Sequence, residues 1–386
     1  SLMLLSRNPD ANRAEAAARL IALHVSVNAL DSFGQSALAH AASYGRTDLV
    51  KALLAAHADP NTKDQDKKTP LMLACEHGDA GMVEALLGAG ADADYRYSVY
   101  KDDALSGSCS FCCLAFVTGS WSWIYPTLVS QFNMITHRYE ETPLLIAARN
   151  GREDQPRTVH ALIKAGAGVN DRGNDGDTAL IYASGDKGRA ETVAVLLDAK
   201  ARVDLRTDNG FTALMQAGCS GDIRKISMLI AAGADVRAKA DGGMTAIYGA
   251  ASNGHGDAVI ALAKAGADIN ALTGGKSSLT ELIRTGEAKL TDAVRFLLQS
   301  GSDPDIPGEM GLTPLMWAAQ KNRIDTAKAL IAAKADVNAR SVGEDQTALH
   351  IAVRNGKKEM TRLLIGAGAD VNQPNGWGIR PLLYAK

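Results

Sequence analysis

The sequence repeats itself, and a chain that does so folds as a stack of like units rather than around one central core. A short unit, Thr or Ser followed by any residue and then Leu or Ile, begins at Ser36, Thr69, Thr142, Thr178, Thr212, Thr245, Ser277, Thr313 and Thr347, and once more with Arg in first place at Arg380. The intervals are 33, 73, 36, 34, 33, 32, 36, 34 and 33 residues. Each unit runs through a first apolar stretch that ends on Gly45, Gly78, Gly151, Gly188, Gly221, Gly254, Gly286, Asn322 or Gly356. A second stretch follows and closes on Ala-Asp-Val-Asn or a variant, as at Ala335-Asp336-Val337-Asn338 and Ala369-Asp370-Val371-Asn372. The 37 glycines, about one residue in ten against a usual ~7%, are what recurring turns require.

The residue types explain the shape of one unit. Thr or Ser caps a helix, and Pro at Pro70, Pro143 or Pro314 sits where the first-turn N–H has no partner anyway. The closing Gly or Asn takes a left-handed conformation. Residues such as Val50, Leu53 and Leu54, or Met360, Leu363 and Leu364, fall at helical spacing and face the next unit. No unit buries that face alone, so the array is cooperative.

Thr347-Ala348-Leu349-His350-Ile351-Ala352, with Thr69-Pro70, Thr142-Pro143 and Thr313-Pro314, resembles the T-P-L-H-x-A signature of the ankyrin repeat, and the resemblance extends over roughly nine tenths of the chain. It implies an all-α, helix-turn-helix solenoid with β-hairpin-like fingers, interrupted by one 40-residue insertion. The expected organisation is a degenerate capping repeat at 1–30, repeats one and two at 31–94, the insertion at 95–139, repeats three to nine at 140–372, and a partial tenth repeat or C-terminal cap at 373–386. Either that cap is short, or the sequence ends inside a longer protein. Extra residues at 152–157 and 287–292, and one near Lys187, are expected to lengthen surface loops.

The insertion is unlike the rest. From Ala104 to Thr136 there is no Asp, Glu, Lys, Arg or His, and ten of the 19 aromatic residues lie between Tyr95 and Tyr139. Trp121, Trp123 and Tyr125 are candidate anchors for a partner, because aromatics are enriched where partners are held; packing against repeats two and three is the alternative. Ser120-Trp121-Ser122-Trp123 alternates as a strand with one aromatic face. Phe111–Val129 approaches the ~20 residues a membrane span needs, but Gly119, Ser120 and Pro126 interrupt it and a single crossing would split the stack.

Catalytic patterns are missing. Cys109, Cys112 and Cys113, with His137, have part of a zinc spacing but lack the second ligand pair, so no metal or other cofactor is expected. Cys75 and Cys219 are expected to pack. His40, His77, His255 and His350 recur near first helices, and at the position of His350 the family has a histidine that bonds between repeats. Gly274-Gly275-Lys276-Ser277 ends like a phosphate loop but has Asn270 where that loop needs glycine. The chain is therefore not expected to be an enzyme.

What remains is surface. Ankyrin-like proteins usually bind protein partners on a concave side made by the finger tips and exposed first-helix positions. Carried over, those places are Phe211, Met244, Met310, Leu312, Met316, Trp317, Lys321, Glu344, Arg354 and Trp377, with the large apolar ones expected to be exposed. The alternative function is a holder for a metal, small molecule or membrane-interface contact through the insertion, or the targeting half of a larger effector. With 41 Lys and Arg against 43 Asp and Glu, nucleic acid is not the expected partner, and the chain by itself is expected to be a monomer. Five cysteines form no even disulfide framework, and Leu2–Leu5 is too short for a signal-peptide core, which favours the cytoplasm.

Overall fold

The structure, a computed structural model, describes residues 16, 19, 20, 22, 23, 26–101, 137–286 and 290–384. The chain divides into two compact units, Ser1–Ala183 with Lys187–Arg202, and Ser184–Asp186 with Val203–Lys386.

The first unit holds the helices α1 (Ala37–Ser43), α2 (Thr47–Ala55), α3 (Pro70–His77), α4 (Ala80–Gly88), α5 (Pro143–Arg149), α6 (Gln155–Lys164), α7 (Ala179–Ser184, whose last residue groups with the second unit) and α8 (Ala190–Asp198). First helices pack on first helices, α1 on α3 and α3 on α5, while second helices pack on second helices, α2 on α4, α4 on α6 and α6 on α8. The strands β1 (Tyr97–Lys101) and β2 (His137–Glu141) pair antiparallel, with Lys101 opposite His137 and Tyr97 opposite Glu141. Because β2 leads straight into Thr142, this ribbon is the lengthened finger of repeat three, and the insertion leaves from its far end.

The second unit continues with α9 (Ala213–Ser220), α10 (Ile223–Ala231), α11 (Ala246–Ser252), α12 (Gly256–Lys264), α13 (Ser278–Thr285), α14 (Thr291–Gln299), α15 (Pro314–Gln320), α16 (Ile324–Ala332), α17 (Ala348–Arg354) and α18 (Lys358–Gly366). The odd-numbered helices form one layer and the even-numbered ones the other. The short strands β3 (Leu272–Thr273) and β4 (Lys276–Ser277) make its one sheet-paired finger among the described residues. Helices of seven to nine residues are too short to persist alone in water, so they exist because their neighbours cover them.

Every repeat opens on the same bond. The hydroxyl of Ser36, Thr69, Thr142, Thr178, Thr212, Thr245, Ser277, Thr313 or Thr347 accepts the N–H three residues on, at 3.1 to 3.4 Å. At the other end of α9, Gly221 stands at φ +69°, and a Cβ there would overlap the His255 ring of the following repeat. The same holds at Gly45, where the ring of His77 fills the space over the glycine. These two histidines are therefore packing partners of a turn. Between repeats, the asparagine of the closing motif spans one turn to the next: Asn338 accepts from the Asp370 N–H at 2.8 Å and donates to the Gly368 carbonyl at 3.2 Å.

In repeat three the loop is lengthened at the surface as expected, with Arg152, Glu153 and Asp154 exposed ahead of α6. Gln155, within the extra segment of repeat three, is fully buried; its amide donates to the Ala147 and Ala148 carbonyls, and its oxygen accepts from Thr192 at 3.1 Å and the Arg189 N–H at 3.2 Å. Behind that exposed loop, Gln155 at the start of α6 connects the end of α5 to the entry of α8. The segment 287–289 of repeat seven lies outside the described residues.

Thr245→Ala removes one cap from a buried corner and should cost about 1 kcal/mol in urea unfolding. Gly221→Ala adds both left-handed strain and an overlap with His255 and should cost about 2–4 kcal/mol in the same measurement, whereas Gly366→Ala, helical and with open space for the added methyl in α18, should stabilise by up to about 1 kcal/mol.

Candidate functional site

In the second unit each finger closes on an N–H to C=O bond across four or five residues: Thr207 to Phe211 at 2.9 Å, Ala240 to Met244 at 2.8 Å, Gly308 to Leu312 at 2.9 Å, Ser341 to Gln346 at 2.8 Å and Asn375 to Ile379 at 3.0 Å. Neighbouring fingers are then tied tip to tip through the main chain, Asp241 N–H to Asn209 at 3.1 Å, Gly274 to Gly242 at 3.0 Å, Val342 to Gly311 at 3.4 Å and Gly376 to Glu344 at 2.9 Å. These ties hold fingers five, six and seven side by side, and likewise eight, nine and ten. What the tips carry is therefore presented as a row.

Four successive fingers, seven to ten, present large apolar side chains to solvent: Leu272 is 45% exposed, Met310 74%, Val342 73% and Trp377 63%. Met310 and Trp377 agree with the sequence expectation. Leu272 and Val342, each five residues before its capping Ser277 or Thr347, are absent from it. Lys321, Glu344 and Arg354 are exposed as expected, while Phe211, Met244 and Leu312 are half-buried beneath their own fingers.

Met316 and Trp317 are corrections, since both are buried. The Met316 side chain turns back onto its own cap, where its sulfur accepts the Thr313 N–H at 3.4 Å. Trp317, 7% exposed, lies against finger eight, with its indole nitrogen 3.6 Å from where a Cβ on Gly308 would stand. That Cβ would also meet the Thr280 side chain at 2.5 Å, so the close approach requires glycine. The Thr280 hydroxyl donates to the Ile306 carbonyl at 2.8 Å, joining α13 to the approach to finger eight.

Around this junction sits a charged group that no sequence motif marks. Glu281 of α13 is 1% exposed, and its Oε2 accepts from Arg284 Nε at 2.8 Å and Nη2 at 2.6 Å. Glu309 of finger eight lies 3.7 Å from the same guanidinium. Burial works against the charge on Arg284, but Glu281 outweighs it and raises the guanidinium pKa further. Burial, then Glu281, pushes the phenol of Tyr248 on α11 upward, keeping it neutral. Oε1 of Glu281 and Nε1 of Trp317 are buried without a hydrogen-bond partner among the described residues. The spacing of Glu281 and Arg284 is legible as an ordinary i,i+3 pair; its burial is not.

The remaining candidates show no reactive arrangement. Cys75 is fully buried, which drives its thiol pKa up, away from the thiolate a nucleophile needs. His350 is fully buried: its Nδ1 accepts the Thr347 N–H at 3.2 Å, so Nε2 carries the proton toward the Ile379 carbonyl at 3.0 Å. That bond joins repeat nine to the last finger, as the family position implies. Among the described residues no group of His, Cys, Asp and Glu could hold a metal, and no helix is long and apolar enough to cross a membrane. Trp121, Trp123, Tyr125, Cys109, Cys112, Cys113 and the strand expected at 120–123 lie outside the described residues.

Comparison with known proteins accounts for this geometry. The family pattern "Ankyrin repeats (3 copies)" matches residues 2–97, 119–207, 186–273 and 281–384. The chain belongs to the ankyrin repeat family. Ankyrin repeats are generally protein–protein interaction modules, typically non-enzymatic. Similar proteins include a putative ankyrin repeat protein of fowlpox virus, 36% identical over 24% of this chain and 27% of that one. Inversin of Gallus gallus is 33% identical over 29% of this chain and 9% of its own, and the palmitoyltransferase ZDHHC13 of Homo sapiens 30% over 28% and 18%. The chain thus spans only a small part of the length of these relatives. The ankyrin repeat domain of human ASB11 superposes with a TM-score of 0.50 at 23% identity, over 60% of this chain and 99% of that one, a likeness of fold.

Burial holds the His350 imidazole below its ordinary pKa, and Arg340 and Arg354 add to the effect. A lowered native pKa means the unfolded chain binds the proton more readily, so the stabilisation is complete above about 6.5 and is lost as pH falls from there through the native value. The urea midpoint should drop between pH 7 and pH 5, and His350→Gln should show a smaller drop, with all other titrating groups common to both proteins.

Proposed function

We propose that this ankyrin array is a non-enzymatic scaffold that recognises a protein partner on the face formed by the fingers and first helices of its second unit, with the insertion after repeat two as an additional contact. The observation that carries the reading is the row of Leu272, Met310, Val342 and Trp377 on four successive fingers. Single exposed apolar residues are ordinary; ones that recur on four successive fingers, of which eight, nine and ten are tied through the main chain, form the kind of patch that a partner covers. Beside the row, Lys321 and Arg354 stand exposed at the ends of α15 and α17, giving a charged margin around an apolar strip. The raised thiol pKa of Cys75 and the neutral, fully bonded state of His350 support a binding role over a catalytic one.

The test is capture from source-cell lysate, read by mass spectrometry, with three proteins that first prove to melt alike. These are the intact chain, the triple variant Met310→Ser, Val342→Ser, Trp377→Ser, and a chain with residues 104–136 replaced by a short Gly-Ser turn. The triple variant should lose the partner, and Trp377→Ala alone should weaken binding about tenfold or more, as truncating an aromatic anchor does. Retention by the triple variant with loss from the shortened chain would move recognition to the insertion and overturn the proposed surface.

A further inference from the structure

We propose that Glu281, Glu309 and Trp317 form the seat for a basic side chain of the protein partner, arginine in preference to lysine; this rests on the docking face proposed above and names the chemistry at its centre. Two carboxylates surround the guanidinium of Arg284, so the three groups together carry a net charge of one negative. Arg284 engages only Oε2 of Glu281, and Oε1, on a side chain 1% exposed, has no partner among the described residues. Buried acceptors in folded proteins are almost always satisfied, so an orphan one at a binding face calls for a donor from outside. The uncompensated charge selects a cation over a neutral amide.

The indole N–H of Trp317 is the complementary donor. Among the described residues it too is buried without an acceptor, on the helix next to α13 and against Gly308, the residue before Glu309. A main-chain carbonyl flanking the incoming basic residue supplies what it lacks. One cationic donor and one neighbouring carbonyl are together what an arginine within a peptide presents. The guanidinium fork suits the site better than a lysine ammonium because it can bond two carboxylates at once. Exposed Leu272 and Met310 offer apolar surface for the aliphatic stem.

The experiment uses the full chain with 15N-labelled tryptophan, the Trp317 indole resonance being assigned by its loss in Trp317→Phe. Four probes are titrated at constant ionic strength: the Nα-acetyl methylamides of arginine, lysine, glutamine and norleucine. The Trp317 resonance should move saturably with the arginine probe, more weakly with lysine, and not with glutamine or norleucine. Glu309→Gln, which alters a half-exposed finger residue, should weaken the arginine response at least tenfold. Glu281→Gln should abolish it and is read only if the variant melts with the parent; otherwise Glu309→Gln decides. No saturable response to the arginine probe, an equal response to glutamine, or an unchanged response in Glu309→Gln overturns the proposal. Partner capture that still depends on Met310, Val342 and Trp377 would leave the docking face standing without this seat. An arginine response with capture indifferent to those three residues would sink the docking face instead.

Discussion

The hydroxyl that caps each first helix is the bond on which the rest of the architecture depends. A seven- to nine-residue helix has little stability of its own, and its direction relative to the preceding finger is fixed at the corner where Thr or Ser turns extended chain into helix. Repeating that corner nine times keeps the helical layers of each unit in register and aims its fingers the same way. The finger ties, the buried first helices and the side-by-side tips all follow from it.

Much of this was legible in the sequence because it is local. The cap, the proline behind it and the closing glycine each act on a few neighbouring residues, so their spacing translates directly into helix ends. The role of His350 was legible for a different reason: its bond to Ile379, 29 residues on, repeats a family position. Exposure was less so. Met310 and Trp317 are both large residues close to finger eight, yet Trp317 is pressed against Gly308 while Met310 stands in water. Which of the two happens depends on the adjacent repeat, and periodicity carries no information about that. Glu281 likewise takes a position that a neutral residue fills elsewhere in the unit, such as Gln216 or Ile351, and only the packing of α15 over α13 turns it into a buried charge.

The charged centre and the apolar tips complement one another. Apolar contact supplies adhesion with little direction, whereas a buried carboxylate beside one guanidinium discriminates by sign and by hydrogen-bond geometry. An array assembled from near-identical units gains specificity mainly where it departs from its own pattern, and Glu281, Trp317 and Gly308 are three departures gathered at one junction. Gln155 plays a comparable part in the first unit, as a buried polar connector between α5 and α8.

The antiparallel pairing of Tyr97–Lys101 with His137–Glu141 has a consequence for the kind of sequence this protein tolerates. Residues 101 and 137 face each other across one strand spacing, about 5 Å, so whatever lies between them begins and ends at the same place. That separation is set by the strand pairing and is the same for any length of intervening chain. Closing a loop twice as long costs only about 0.6 kcal/mol more. The third finger thus has the geometry of a splice point, its two strand ends standing where a cassette whose own termini meet would be joined.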